Sequence, residues 1–135
     1  MKPLLVNSSM TNTDGVFYPE GHVFALFQDE DSLRQSAVAL QAQHHHGALA
    51  YASPEAIHKD ILPTLNPADA VLPPVDAQGD TVRQIDGLAR SGHHGLLIQV
   101  SDKDTLEAVQ DTLRQHGASA AFYYRTFAID ALIAP

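Results

Sequence analysis

The chain has 135 residues, with 16 acidic against 8 basic side chains, a net charge of −8 and no cysteine. That length predicts one domain with a sizeable core. The acidic balance and the lack of any Lys or Arg run argue against nucleic acid or anionic membrane as a partner. Without cysteine there are no disulfides, thiol nucleophiles or thiolate metal ligands.

Residues 1–20 form a polar, turn-rich arm, expected to be loosely ordered unless it docks. Its apolar core is only Leu4, Leu5 and Val6, too short for a secretory signal, and no stretch is long enough to span a membrane. A cytoplasmic protein is the expectation. The run Val23-Phe24-Ala25-Leu26-Phe27 reads as a strand buried on both faces. The acidic turn Asp29-Glu30-Asp31-Ser32 opens a helix to about Gln43, with Leu33, Ala37 and Leu40 on its inner stripe. ALAYA, residues 48–52, is a second short strand.

An insert, residues 53–92, follows. Ser53 and Pro54 suit an N-cap and a first helical position, and this helix ends before Pro63. Pro67, Pro73 and Pro74 mark residues 66–79 as an irregular loop. Asp80 caps a helix over residues 81–90, stopped by Gly92. Residues 96–100 form a strand, and Asp102-Lys103-Asp104-Thr105 opens a helix to Gln115, stopped by Gly117. AAFYYRT, residues 120–126, is the last strand, and the tail IDALIAP forms a short apolar extension.

Half of this plan is an echo. The stretch from His22 to Gln43 recurs as Gly95 to His116 at a constant offset of 73 residues, pairing Asp29 with Asp102, Asp31 with Asp104 and Leu40 with Leu113. Two strand–helix–strand units imply an α+β fold: a ferredoxin-like βαβ-βαβ sandwich with a four-stranded antiparallel sheet and a helical insert between the repeats. Its first and third strands are expected to be central and parallel, with the repeat helices on one face. By alternation the other face carries Phe24, Leu26 and Leu97. Such an apolar face needs a cover, either the insert or, as favoured here, the second subunit of a homodimer. Tyr51 and Tyr124 occupy matching repeat positions and join Phe24, Leu26 and Leu97 as candidate interface residues.

Histidine is over-represented, at 8 residues. With the strand directions above, His22, His44, His45, His46, His93, His94 and His116 gather at one end of the sandwich. Neutral imidazoles there would suit zinc or nickel. The alternative is favourable placement at helix C-termini and strand starts, with no metal, and no cofactor is the primary expectation. His58 in the insert has no assigned place. The carboxylates Asp29, Asp31, Asp102 and Asp104 gather at the opposite end, where helix capping is the first reading and a hard-cation site or an acid–base pair the second. No nucleophile elbow, P-loop, dinucleotide fingerprint or metalloprotease pattern occurs.

The turn and helix QVSDKDTLEAVQDTLRQHGA, with a helical insert after the second strand, resembles small bacterial α+β domains of the general stress protein 17M type. The resemblance implies a non-enzymatic module in a stress or regulatory setting and supplies no catalytic residues. The expectation is therefore a non-catalytic module acting through protein–protein contact as a homodimer. A histidine-rich metal-binding or metal-sensing protein is the first alternative. A small dimeric α/β-barrel-type enzyme is the second, for which the sequence offers no base with an orienting partner.

Overall fold

The computed structural model describes residues 2–7, 10–11, 15–43, 48–64, 77–126 and 128–135. In chain order the elements are β1 (Lys2–Pro3), β2 (His22–Phe27), α1 (Glu30–Ala42), β3 (Leu49–Ala52), α2 (residues 54–64), α3 (Ala77–Arg90), β4 (His94–Gln99), α4 (Lys103–Gln115), β5 (Ala120–Tyr124) and β6 (Ile129–Ile133). The strands form one six-stranded sheet in the order β1-β3-β4-β2-β5-β6.

This α+β architecture corrects the expected four-stranded antiparallel sheet. The sheet is mixed, because β1 joins β3 in parallel while β6 joins β5 antiparallel. The physical reason lies at the termini. Each supplies a short segment whose backbone satisfies the open edge of a strand that would otherwise face solvent. The apolar tail is thus a strand. The arm is docked where it is described: the Leu4 N–H donates to the Tyr51 carbonyl at 2.7 Å, and Val16, Phe17 and Tyr18 are buried.

A second correction concerns direction. The central strands β2 and β4 run antiparallel, with His22 opposite Gln99 and Phe27 opposite His94. Helix α1 returns the chain so that β3 runs in the direction of β2, leaving a gap one strand wide, and β4 fills it in reverse. The two repeat helices start in the same way. Asp29 and Asp102 have extended backbones and accept from the backbone N–H of Ser32 and Thr105, both at 2.7 Å. Gly117 ends α4 at a φ of 76°, a left-handed conformation that costs glycine little.

The sheet separates two cores. On one face α1 and α4 cover Val23, Ala25, Phe27, Leu96, Ile98 and Ala121, with Leu33, Leu40, Val109 and Leu113 interleaved. The Gln43 side chain meets the Thr112 hydroxyl across the helix seam at 2.9 Å. On the other face the insert brings Ile57, Ile61, Val82, Ile85 and Ala89 onto Phe24, Leu26, Leu97, Phe122 and Tyr124. The arm completes that core edge-on, with ring centroids 5.7 Å apart for Phe17–Phe24 and 5.0 Å for Tyr18–Tyr124. Insert and arm together occupy the face on which a second subunit is expected. Phe24, Leu26, Leu97 and Tyr124 are therefore core residues of a single chain.

The echo itself slips in its last strand. Leu49 and Tyr51 face the repeat helices, whereas their counterparts Phe122 and Tyr124 face the insert. A one-residue shift of register turns every side chain of a strand over. Tyr51 and Tyr124 hence share a repeat position and lie on opposite faces. Two boundaries also move: α3 starts at Ala77 and β4 at His94, each earlier than the sequence pattern suggests. Residues 66–76 of the expected loop lie outside the described residues.

Candidate functional site

The insert joins two helices through one buried carboxylate. Helix α3 presents Val82, Ile85 and Ala89 inward, and Asp86 lies on the same stripe, 4% exposed. Helix α2 begins at Ser53, whose hydroxyl accepts from the Ala56 N–H at 3.1 Å. It then widens into a π-helical turn, Ile57–Ile61, which buries both isoleucines against α3 and leaves His58 outside. Such turns recur at functional sites. His58 Nδ1 meets Asp86 Oδ1 at 2.8 Å, while Arg90 Nε donates to Asp86 Oδ2 at 2.9 Å.

This arrangement determines a tautomer. A carboxylate only accepts, so in the neutral imidazole Nδ1 carries the proton and Nε2 the lone pair. The His58 side chain is 53% exposed although its partner is buried. It lines an open cleft of about 570 Å³ together with Pro54, Glu55, Lys59, Ala89 and Arg90. A base, a buried group that orients it and a space for a ligand therefore coincide. That is the geometry general acid–base chemistry requires.

The other described histidines are held differently. His22 Nδ1 is bound to the Glu20 carbonyl at 2.9 Å, and His116 Nδ1 to the Thr112 carbonyl at 2.9 Å. His93 uses both nitrogens, Nδ1 on the Leu88 carbonyl and Nε2 on the Ser119 hydroxyl, each at 3.0 Å. His94 stacks on Tyr51, with ring centroids 5.9 Å apart, and its Nδ1 lies 2.8 Å from the Tyr51 hydroxyl. Burial pushes that hydroxyl's pKa up, and nearby Glu30 adds to the rise. Among the described histidines, His58 is the one hydrogen-bonded to a carboxylate.

The expected gathering of seven histidines at one end does not occur. Antiparallel pairing puts His22 at the Gln99 end of the central strands and His94 at the Phe27 end. His93 and His116 go with His94, because Ser119, which follows α4 and binds His93, hydrogen-bonds Leu26. His44, His45 and His46 lie outside the described residues. Among the described residues no three His, Asp or Glu side chains assemble as a metal-binding group. The acidic turns are likewise at opposite ends, Asp29 and Asp31 beyond Phe27, Asp102 and Asp104 beyond Gln99. Asp29 and Asp102 are held below the ordinary carboxylate value of 3.8, first by the backbone N–H each accepts from its helix.

Sequence reasoning left His58 unplaced and passed over Asp86 and Arg90. A signal for the pair was present: Val82, Ile85, Asp86 and Ala89 put a carboxylate into an apolar helical stripe, with an arginine one turn on. Among the described residues no helix is long and apolar enough to cross a membrane. Comparison with protein-family models, with curated proteins and with solved structures found no match.

Proposed function

We propose that this chain binds a small polar ligand in the α2–α3 cleft and exchanges a proton with it at His58 Nε2, with Asp86 as the positioning residue. The observation that carries this reading is the hydrogen bond from His58 Nδ1 to a buried carboxylate, with the rest of the half-exposed ring lining a cleft. The reading belongs to the class of small acid–base enzymes. A structural tether between α2 and α3 would add little, since both helices already pack through Ile57, Ile61, Val82 and Ile85 and the Asp86–Arg90 pair lies within α3. The sheet-mediated homodimer loses its main support, because insert and arm fill the face it would use. Any partner contact would fall elsewhere, for example at Val38 on α1, which is 65% exposed.

The test is imidazole nitrogen NMR on the intact protein. His58 is expected as the Nδ1–H tautomer, and Asp86→Asn should redistribute the proton between its nitrogens while leaving His93 unchanged. A screen of small polar fragments should then shift amides of residues 54–59 and 86–90 together. A His58 spectrum indifferent to Asp86→Asn, or fragment shifts confined to other surfaces, would overturn the proposal.

A further inference from the structure

Resting on the reading that His58 exchanges a proton in this cleft, we infer that the ligand presents an oxyanion, a carboxylate or a phosphate, and that Arg90 selects it. Two of the other described arginines, Arg125 and Arg34, give the comparison. Arg125 uses both Nε and Nη2 on Asp130, at 2.9 and 3.2 Å. Arg34 gives Nη2 to Glu30 at 2.8 Å on the same helix. Among the described residues Arg90 is bound through Nε alone, also one turn back on its own helix but to a carboxylate that is itself buried, while its side chain stays 67% exposed. The buried anchor orients the guanidinium plane, and the terminal nitrogens remain to meet two oxygens at once. A planar fork of this kind matches a carboxylate or phosphate in a way that a lysine cannot.

The rest of the cleft agrees. Lys59, next to His58 on the π-helical turn, is exposed and lines the same space, so two of the 8 basic residues of a strongly acidic chain border one cleft. Glu55 also lines it and disfavours a ligand of high negative charge. Pro54 and Ala89 provide apolar surface for the carbon part of the ligand. The chemistry described is a small monoanionic acid with its oxygens on Arg90 and a dissociable proton within reach of His58 Nε2. No bond other than to that proton changes.

Carbethoxylation of the full chain by diethyl pyrocarbonate, followed histidine by histidine with peptide mass spectrometry, tests both levels. His58 should react. Inorganic phosphate or acetate should slow that reaction, relative to chloride at matched ionic strength, by about tenfold once the anion exceeds its Kd about tenfold. His22, in the same samples, should not be protected. Arg90→Lys should bring the protection factor close to one although the positive charge is kept. Protection by phosphate alone, or by acetate alone, names the source of the oxyanion. If His58 reacts but neither anion protects it, or if protection survives in Arg90→Lys, the oxyanion inference falls and the proton-exchange reading stands. If His58 does not react in the unaltered protein, the reading itself falls.

Discussion

The two faces of the sheet are built from different kinds of sequence. The α1/α4 face comes from the duplicated unit: the same capped helix start twice, the same inward leucines, and a seam of aliphatic side chains. The insert face comes from segments that occur once, the arm, α2 and α3, and it is aromatic, with Phe17, Tyr18, Phe24 and Tyr124 in edge contact. It also buries the carboxylate of Asp86, whereas among the described residues the buried polar groups of the repeated helices are the hydroxyls of Ser36 and Thr112. The lesson is a division of labour. The repeated units supply a scaffold held together by local capping and apolar burial, and the unrepeated segments bring together, among the described residues, the one histidine hydrogen-bonded to a carboxylate.

The sharpest way to separate the faces is to hollow out one at a time. Phe24 and Phe27 are both fully buried on β2 and point to opposite sides. Phe24→Ala and Phe27→Ala should each cost about 3–5 kcal/mol in urea unfolding. Amide exchange should tell them apart: Phe24→Ala loosens α2 and α3, Phe27→Ala loosens α1 and α4. If both variants lost protection over the same helices, the two cores would be one cooperative unit and the comparison would fail.

Gly95 gives the next effect in size, and it touches the insert face alone. A Cβ there would lie 2.5 Å from Phe24 Cζ and 3.2 Å from Ile57 Cδ1. Both neighbours are fully buried and have little room to yield. Gly95→Ala should destabilise by about 1–3 kcal/mol and move α2 relative to the sheet, seen as shifts at Ile57 and His58.

Tyr124→Phe should act with the opposite sign. The Tyr124 hydroxyl is buried with no hydrogen-bond partner among the described residues, and burial drives its pKa far above the ordinary value of 10.0. Removing that oxygen should leave the aromatic cluster intact and raise stability by about 1 kcal/mol. A loss of stability would mean that the hydroxyl has a bound water or ligand as its partner. Asp86→Leu should have a smaller effect still, because an apolar side chain completes the stripe of Val82, Ile85 and Ala89, while His58 and Arg90 can turn to solvent. Stability within about 1 kcal/mol of the parent, combined with loss of the His58 tautomer preference, would separate positioning from packing. A large loss would make Asp86 a structural tether.

Legibility in the sequence follows the same division. The strands, the caps at Asp29 and Asp102 and the inward leucines were readable, because they depend on neighbours a few residues away. The direction of β4 was not, since antiparallel filling of the gap between β2 and β3 depends on how the crossover returns. That one error carried the histidine map with it. The added edge strands escaped because β1 is only two residues long and β6 looks like any apolar tail. The flip of Tyr124 escaped because a one-residue slip leaves composition unchanged. Of the site, His58 was visible but without a partner: Asp86 lies 28 residues away, and only the packing of α2 on α3 joins them.

The smallest effect belongs to the repeated face and tests whether its two copies are equivalent. Asp29 and Asp102 are fully exposed, and each is held below its ordinary value of 3.8 by its helix N-terminus. A folded-state value below the unfolded one means that the caps stabilise fully above the unfolded value. That contribution is lost as pH falls through the folded value. Asn accepts the same hydrogen bond without titrating, whereas Ala removes it. Near neutral pH, Asp29→Ala and Asp102→Ala should each lower Tm by a few degrees, and the Asn variants by less. As pH falls below 3.8, Tm of the parent should drop more steeply than that of the double Asn variant, so the two curves converge. Equal slopes in the two single Asn variants would mark the caps as interchangeable. A slope seen in only one would show that the copies have diverged even where their geometry agrees, and His94, whose charge reaches Asp29 but is not among the influences on Asp102, points to Asp29 as the one that differs.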